Sequence, residues 1–208
     1  MIIKSNVKRL LQYRLCLLKF KELGFTKIFS YNLGNEAGVS PEQVRKDFSM
    51  HGITGNKKAG YDIESLLAVL NQLFEMDEIH NVILVGMGNV GRALANYNNQ
   101  FIGQNVYIIS AFDIDPAKHN KKSGVPVYSM QKLDEQIKKH SISTVLLTVP
   151  GKAAQEVCDL LLDYGIRGII NFTNTILKTP DNVIINNINL GIEVEALIYY
   201  LNQHNKGK

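Results

Sequence analysis

Gly86-Met87-Gly88-Asn89-Val90-Gly91 follows directly on the apolar, β-rich run His80 to Val85 and opens a helical pattern that continues through Leu94 and Tyr97. Glycines at this spacing suit phosphate chemistry. The first allows a tight turn, the second lets the backbone approach a pyrophosphate, and the third permits close packing of helix on strand, while the helix N-terminus offers N–H groups and partial positive charge. A second apolar strand, Val106 to Phe112, ends in Asp113, 22 residues after Gly91, where a carboxylate that accepts from ribose hydroxyls is expected. Asp115 is the neighbouring candidate, but it precedes Pro116 one step further into the turn. A carboxylate here favours NADH/NAD+ over the phosphorylated dinucleotide, because it repels a 2′-phosphate. Thr148, Val149, Pro150, Asn171 and Phe172 lie at the carboxyl ends of later strands and are candidates for the nicotinamide side. A coenzyme A or other adenine-nucleotide module is the alternative for the same glycines.

A second chemistry belongs to the front of the chain. Residues 1–61 carry eleven Lys/Arg against four Asp/Glu, whereas residues 62–208 carry twelve against fifteen, so the basic charge is concentrated where a polyanion would be met. Ser40-Pro41-Glu42-Gln43 reads as a capping box with proline at the first helical position. In the helix it opens, Val44 and Phe48 lie four apart and face a core, leaving Gln43, Arg45, Lys46 and Ser49 outward. The preceding short helix starts at Ser30, read as its N-cap, and ends at Gly38. A helix-turn-helix followed by a glycine-flanked segment with Lys57 and Lys58 at its tip predicts a winged helix, with the lysines on phosphates. Ser40, Gln43, Arg45, Lys46, Ser49, Lys57 and Lys58 are the candidate DNA-binding residues.

These sites need scaffolds. A first helix over Ser5 to Gly24 places Val7, Leu11, Leu15 and Leu18 on one face by their 4-4-3 spacing, and a helix capped by Asp62 runs to Met76. Beyond His80, strands and helices alternate: Met130 to His140 helical, Thr144 to Val149 a strand, Ala153 to Tyr164 helical, Gly168 to Phe172 a strand, then a strand-like Val183 to Ile188. Such alternation builds a parallel sheet with helices on both faces, a Rossmann-like domain. The last helix, Ile192 to Asn202, is apolar on more than one face and requires cover, from a second subunit or from its own chain. The reading is an α/β protein: a winged helix over 1–78, the sheet domain over 79–188, and a C-terminal dimerisation helix over 189–208.

Composition narrows the class. With 208 residues, 45% of them hydrophobic and 20% charged, the chain resembles ordinary globular proteins, and no run approaches the ~20 apolar residues of a membrane span. The N-terminus lacks a secretory pattern, which with two isolated cysteines, Cys16 and Cys158, predicts a cytoplasmic protein without disulfides or a metal site. A small NAD-dependent oxidoreductase is the rival from another class. It needs a proton donor beside the nicotinamide, and none of the five histidines falls at the carboxyl end of a predicted strand, so no catalytic residue is assigned.

In order along nearly the whole chain, Arg9-Leu10, Gln43-Val44-Arg45-Lys46-Asp47-Phe48-Ser49, Gly60-Tyr61, Val85 to Gly91, Phe112-Asp113-Ile114-Asp115-Pro116, Val149-Pro150 with Ala154-Gln155, and Gly165 to Phe172 resemble the Rex family of redox-sensing transcriptional repressors. The resemblance implies a homodimer that exchanges C-terminal helices, binds a palindromic operator in double-stranded DNA and leaves it when NADH accumulates. It departs from the family pattern at Met50-His51, where an aromatic pair is usual, and at Asn56-Lys57-Lys58 in the wing. Leu15, beside Arg14, stands where the family often has an arginine, and Asn189 where it usually has an aspartate. Those family residues take part in switching, so the resemblance implies a weakened NADH response, with Tyr97 meeting Asn189 of the partner subunit.

Overall fold

The computed structural model describes residues 5–54, 59–75, 78–98, 105–119 and 124–206. The chain divides between Glu78 and Ile79 into two compact units.

The first unit contains α1 (Ser5–Glu22), β1 (Lys27–Ile28), α2 (Ser30–Ala37), α3 (Pro41–Ser49), β2 (Tyr61–Asp62) and α4 (Ile63–Leu73). Its core joins Leu10, Tyr13 and Leu17 of α1 to Leu33, Val44, Phe48, Ile63, Leu66 and Leu70. The predicted face of α1 is therefore out of register. Leu15 is 46% exposed, because the inward stripe runs Leu10, Tyr13, Leu17, and reading only the aliphatic residues passes over Tyr13. Ser30 is not the cap of α2: the N-cap is Phe29, with no side-chain hydrogen bond, and the Ser30 hydroxyl instead accepts from Arg45 Nη1 at 2.9 Å. Ser40 and Asp62 cap α3 and α4 as expected, Ser40 Oγ accepting from Gln43 N and Asp62 Oδ1 from Ser65 N, but the capping box at Ser40 is only half formed, because the Gln43 side chain is drawn to Asp47 instead of back to the Ser40 N–H. β2, which follows the predicted wing, pairs antiparallel with β1, the segment before α2. The predicted wing tip, with Asn56, Lys57 and Lys58, lies outside the described residues, as does Met76.

A buried carboxylate ties this unit together. Asp47 of α3 is 1% exposed and accepts from Arg9 Nε at 2.6 Å, Arg9 Nη2 at 2.7 Å, the Tyr13 hydroxyl at 2.9 Å and Gln43 Nε2 at 2.8 Å. The Arg9 bonds, helped by those from Tyr13 and Gln43, hold its pKa below the ordinary carboxylate value against the effect of burial. Burial, with the bond to Asp47, pushes the Tyr13 hydroxyl up to about 12, so it remains a donor at neutral pH.

The second unit is a six-stranded parallel sheet in the order β5-β4-β3-β6-β7-β8. Its strands are β3 (His80–Val85), β4 (Val106–Asp113), β5 (Val127–Ser129), β6 (Thr144–Leu147), β7 (Gly168–Asn171) and β8 (Ile184–Asn187), with helices α5 (Asn89–Asn96), α6 (Leu133–Lys139) and α7 (Gly151–Asp163). β3 is buried from Val82 to Val85, as a strand covered on both faces must be. Its side chains alternate between two cores. Ile83 and Val85 pack with Phe112, Ile137, Val145, Ala154 and Leu161, while Val82 and Leu84 pack with Ile108, Ala111 and Leu146. The short strand β5 carries no period long enough to be read from sequence.

The last helix, α8 (Leu190–Lys206), is apolar and uncovered. Leu190, Ile192, Val194, Leu197, Ile198, Tyr199, Tyr200 and Leu201 are all at least 51% exposed, so a seat within its own chain is not what hides this surface.

The Asp47 contacts fix the sign of an acid response. A carboxylate held low in the folded state contributes stability above its ordinary pKa near 4, and that contribution is lost as the pH falls through it toward the folded value. Asp47→Asn should cost about 2 kcal/mol or more near neutrality. Below about pH 4 the melting temperature of the parent should converge on that of the variant; thermal unfolding of both full-length chains over an acid series measures this.

Candidate functional site

In the second unit the strand order reverses between β3 and β6, and the connections leaving these neighbours part to opposite sides, opening a crevice beyond their carboxyl ends. A cleft of about 540 Å³ occupies that place, lined by Gly86, Gly88, Asn89 and Val90 from the glycine turn, Asp113 at the end of β4 with Ile114 and Lys118 beyond it, and Thr148 to Gly151 and Phe172 to Asn174 on the far side.

The three glycines have separable roles. Gly86 has φ +103°, and a Cβ there would meet the Thr148 carbonyl carbon and oxygen at 2.7 Å. Gly91, in the first turn of α5, lies so close to the turn that a Cβ would come within 1.9 Å of the Gly86 carbonyl oxygen. Gly88 has nothing within 4 Å of its would-be Cβ, so protein packing does not require glycine there. The space above it is left to whatever approaches the N-terminus of α5. The Thr148 hydroxyl donates to Gly86 O at 2.6 Å, which clamps the turn to the end of β6.

Asp113 is 6% exposed. Its Oδ2 accepts from Met87 N at 2.7 Å and Lys118 Nζ at 3.0 Å, and its Oδ1 from Asp115 N at 2.9 Å. Burial raises its pKa, but the Asp115 and Met87 N–H groups and then Lys118 outweigh that and lower it, so the group is anionic. Two of its three donors are fixed backbone groups. The third ends a flexible side chain one-third exposed, which a ligand hydroxyl could displace. Asp115 is occupied in capping the following turn through Ala117 N.

Several predicted residues take other places. Asn171 does not face the cleft: it is 1% exposed, its amide donates to Thr175 O and Asn187 Oδ1, and its oxygen accepts from Thr173 N and Oγ1. That leaves no group for a nicotinamide and makes it the organiser of the turn that presents Phe172, Thr173 and Asn174. The Met87 side chain is buried beneath the sheet with Val82 and Leu84, and only its backbone serves the site. Lys118, Thr173 and Asn174 were missed. Lys118 sits five residues beyond Asp113, at a spacing visible in the sequence.

In the first unit, Arg45 and Lys46 are exposed on α3 with Ser49, and Gln43 is half-buried beside them. Arg45 is oriented by Glu42 at 2.7 Å as well as by Ser30. Arg14 is buried and donates through Nε to Asn71 of α4 at 2.6 Å, which commits it to the interior. Tyr97 caps the C-terminus of α5 and is 53% exposed. Asn189 Oδ1 accepts from Gly191 N at 3.0 Å and Ile192 N at 3.3 Å, so it serves as the cap of α8.

Comparison with known proteins adds the following. Residues 2–49 match the model of a putative DNA-binding protein N-terminus, and residues 77–175 that of a CoA binding domain. The redox-sensing transcriptional repressor Rex of Lactobacillus acidophilus is 40% identical over 95% of this chain and 94% of its own. The Rex of Pediococcus pentosaceus is 38% identical over 96% of each. The chain belongs to the Rex family of redox-sensing transcriptional repressors. Among solved structures, RSP in complex with β-NAD+ and operator DNA is similar with a TM-score of 0.88 at 30% identity, covering 99% of this chain and 95% of RSP. RSP in complex with β-NADH gives 0.83, covering 99% and 97%. Rex membership assigns the nucleotide fold to a repressor, not to an enzyme. Among the described residues no group of three or more His, Cys, Asp or Glu is placed to hold a metal, and no helix is long and apolar enough to cross a membrane.

The glycine geometry gives a stability test within this Rex-family unit. Gly91→Ala should force the turn away from α5 and destabilise the fold by more than about 2 kcal/mol, whereas Gly88→Ala should leave the melting temperature unchanged within about a degree. Calorimetric melting of the two variants distinguishes the packing glycine from the open one.

Proposed function

We propose that the chain is a homodimeric repressor that senses the NADH/NAD+ ratio. Residues 1–78 form the winged helix that binds a palindromic operator in double-stranded DNA. Residues 79–188 form the Rossmann-like domain that binds NADH or NAD+, and residues 189–208 the helix exchanged between subunits. NADH binding releases the DNA. The observation that carries this reading is the cleft at the reversal of strand order, where an open glycine under the N-terminus of α5 stands ready for a pyrophosphate and anionic Asp113 for a ribose. Bound dinucleotide would bring the nicotinamide toward Thr148, Val149, Pro150 and Phe172, its ribose hydroxyls taking the place of Lys118 on Asp113. The two RSP complexes, one with β-NAD+ and operator DNA and one with β-NADH, support the pairing of these ligands.

Homodimerisation accounts for α8, whose exposed apolar residues need a partner surface in water. A cytoplasmic setting suits the two free, buried cysteines. Burial pushes the Cys158 thiol up to about 11, so it is unreactive near neutrality, and the redox signal enters as a nucleotide instead of through this sulfur. The match to a CoA binding domain model keeps coenzyme A as the competing ligand.

Titration calorimetry with NADH, NADPH and coenzyme A tests the ligand. NADH should bind most tightly. Gly88→Ala should weaken it at least about tenfold with unchanged melting, because a methyl group would occupy the pyrophosphate's approach. Asp113→Ala should erase most of the preference over NADPH. Equal affinities in the parent, or coenzyme A binding above NADH, would overturn the assignment. On the DNA side, Arg45→Ala should weaken operator binding by about 1–3 kcal/mol if it reads a base. A chain ending at Asn189 should sediment as a monomer, and a dimer would reject α8 as the dimerisation helix.

A further inference from the structure

Asp47 controls more than stability, because one of its four donors stands on the candidate DNA-facing helix. Gln43 lies one turn before Asp47, in the first turn of α3, the part of a recognition helix that meets base edges. Its Nε2 is 2.8 Å from Asp47 Oδ1. An ionised carboxylate only accepts hydrogen bonds, and this one already takes two N–H groups from Arg9 and the hydroxyl of Tyr13. The Gln43 carboxamide is therefore fixed in one of its two flips: nitrogen toward Asp47, oxygen away from it. Turning it over would set two acceptor oxygens against each other. What Gln43 retains for a ligand is its carbonyl oxygen and the second amide hydrogen.

We infer that Gln43 reads one base of each operator half-site, and that Asp47, held by Arg9, is the positioning residue that sets it to select a base bearing an exocyclic amino group, adenine before cytosine. This rests on the reading of the first unit as an operator-binding domain. In the major groove adenine offers the N6 amino group and the N7 acceptor, which match the free oxygen and hydrogen together. Cytosine offers only the N4 amino group. Guanine O6 and thymine O4 are acceptors that stand where the amino group would be, so they set an acceptor against the Gln43 oxygen and leave only its one free amide hydrogen to pair. An unrestrained glutamine evades that penalty by turning its amide over; the lock to Asp47 prevents it. Arg45, held by Ser30 and Glu42 on the neighbouring face, presents only donors and suits the complementary keto bases.

The test is selection from a duplex pool with a randomised centre, using the full-length chain and its Gln43→Ala, Asp47→Asn and Tyr13→Phe variants. The parent should enrich adenine at one position per half-site. Gln43→Ala should flatten that position alone, by about 5- to 100-fold in discrimination. Asp47→Asn, whose amide can either donate or accept, frees the flip, so the same position should spread to guanine and thymine while others hold. Tyr13→Phe keeps the Gln43–Asp47 bond and should retain the parent's preference despite a lower melting temperature, which separates positioning from stability. Should Asp47→Asn not fold, Gln43→Glu replaces it: a carboxylate cannot donate to Asp47, so adenine should be lost and cytosine kept. The inference is overturned if Gln43→Ala enriches the parent's consensus, or if the position that depends on Gln43 is guanine or thymine. A parent that enriches no sequence overturns the DNA-binding reading itself.

Discussion

A carboxylate withdrawn from water must be given donors for most of its lone pairs, and each unit of this protein meets that requirement at the base of its candidate functional element. In the first unit Asp47 gathers Arg9 and Tyr13 from α1 and Gln43 from its own helix, so the position of α3 against α1 follows from satisfying one anion. In the second, Asp113 draws the Met87 N–H and the Asp115 N–H onto itself, which joins the glycine turn after β3 to the turn after β4. Removing either carboxylate takes a shared acceptor from its donors, and stability and site geometry suffer together. Apolar burial supplies the larger share of the folding free energy. It is non-directional, however, and does not choose among the small rotations of a helix that decide which atoms face a ligand.

The glycine turn shows the same division between packing and function in a single motif. Gly86 and Gly91 are excluded volume: one sits against Thr148 and the other against Gly86 itself, at distances no Cβ tolerates. Their smallness lets α5 approach the sheet and aims its first N–H groups into the cleft. Gly88 is unconstrained by protein. A motif whose three members look alike in sequence thus splits into two that build the site and one that leaves it open.

Much of this was legible because it is local. Ser40 and Asp62 cap their helices as their spacing indicates, and the run His80 to Val85 forms a strand with those bounds, since capping and a short continuous apolar run depend on residues within one turn or one strand. Other features depend on distant partners. Ser30 has the composition of a cap, but Arg45, fifteen residues on, takes its hydroxyl. Asn171 has the strand-end position of a ligand contact, but Asn187 and the turn to Thr175 use every group it has. The two-residue strand Lys27–Ile28 exists only through its pairing with Tyr61–Asp62. The stripe on α1 was misread because Tyr13, fully buried with its hydroxyl on Asp47, counts as a core residue only once Asp47 is known to be there.

Asn189 illustrates how a departure from a family pattern can leave one role intact while altering another. Its side-chain oxygen caps α8 through the N–H groups of Gly191 and Ile192, and an aspartate would supply an equivalent oxygen, with a favourable charge near the helix dipole worth about 0.3–1 kcal/mol. The start of α8 therefore does not require the family's charge. What asparagine gives up is the capacity to form an ion pair, and Leu15, exposed on α1 where the resemblance implies an arginine, gives up the matching cation. A ligand shifts an equilibrium between two states only by its differential affinity for them. On the proposed reading, losing a contact formed in one state alone reduces the strength of the switch without disturbing the fold, because the cap that builds α8 draws on an atom common to both side chains.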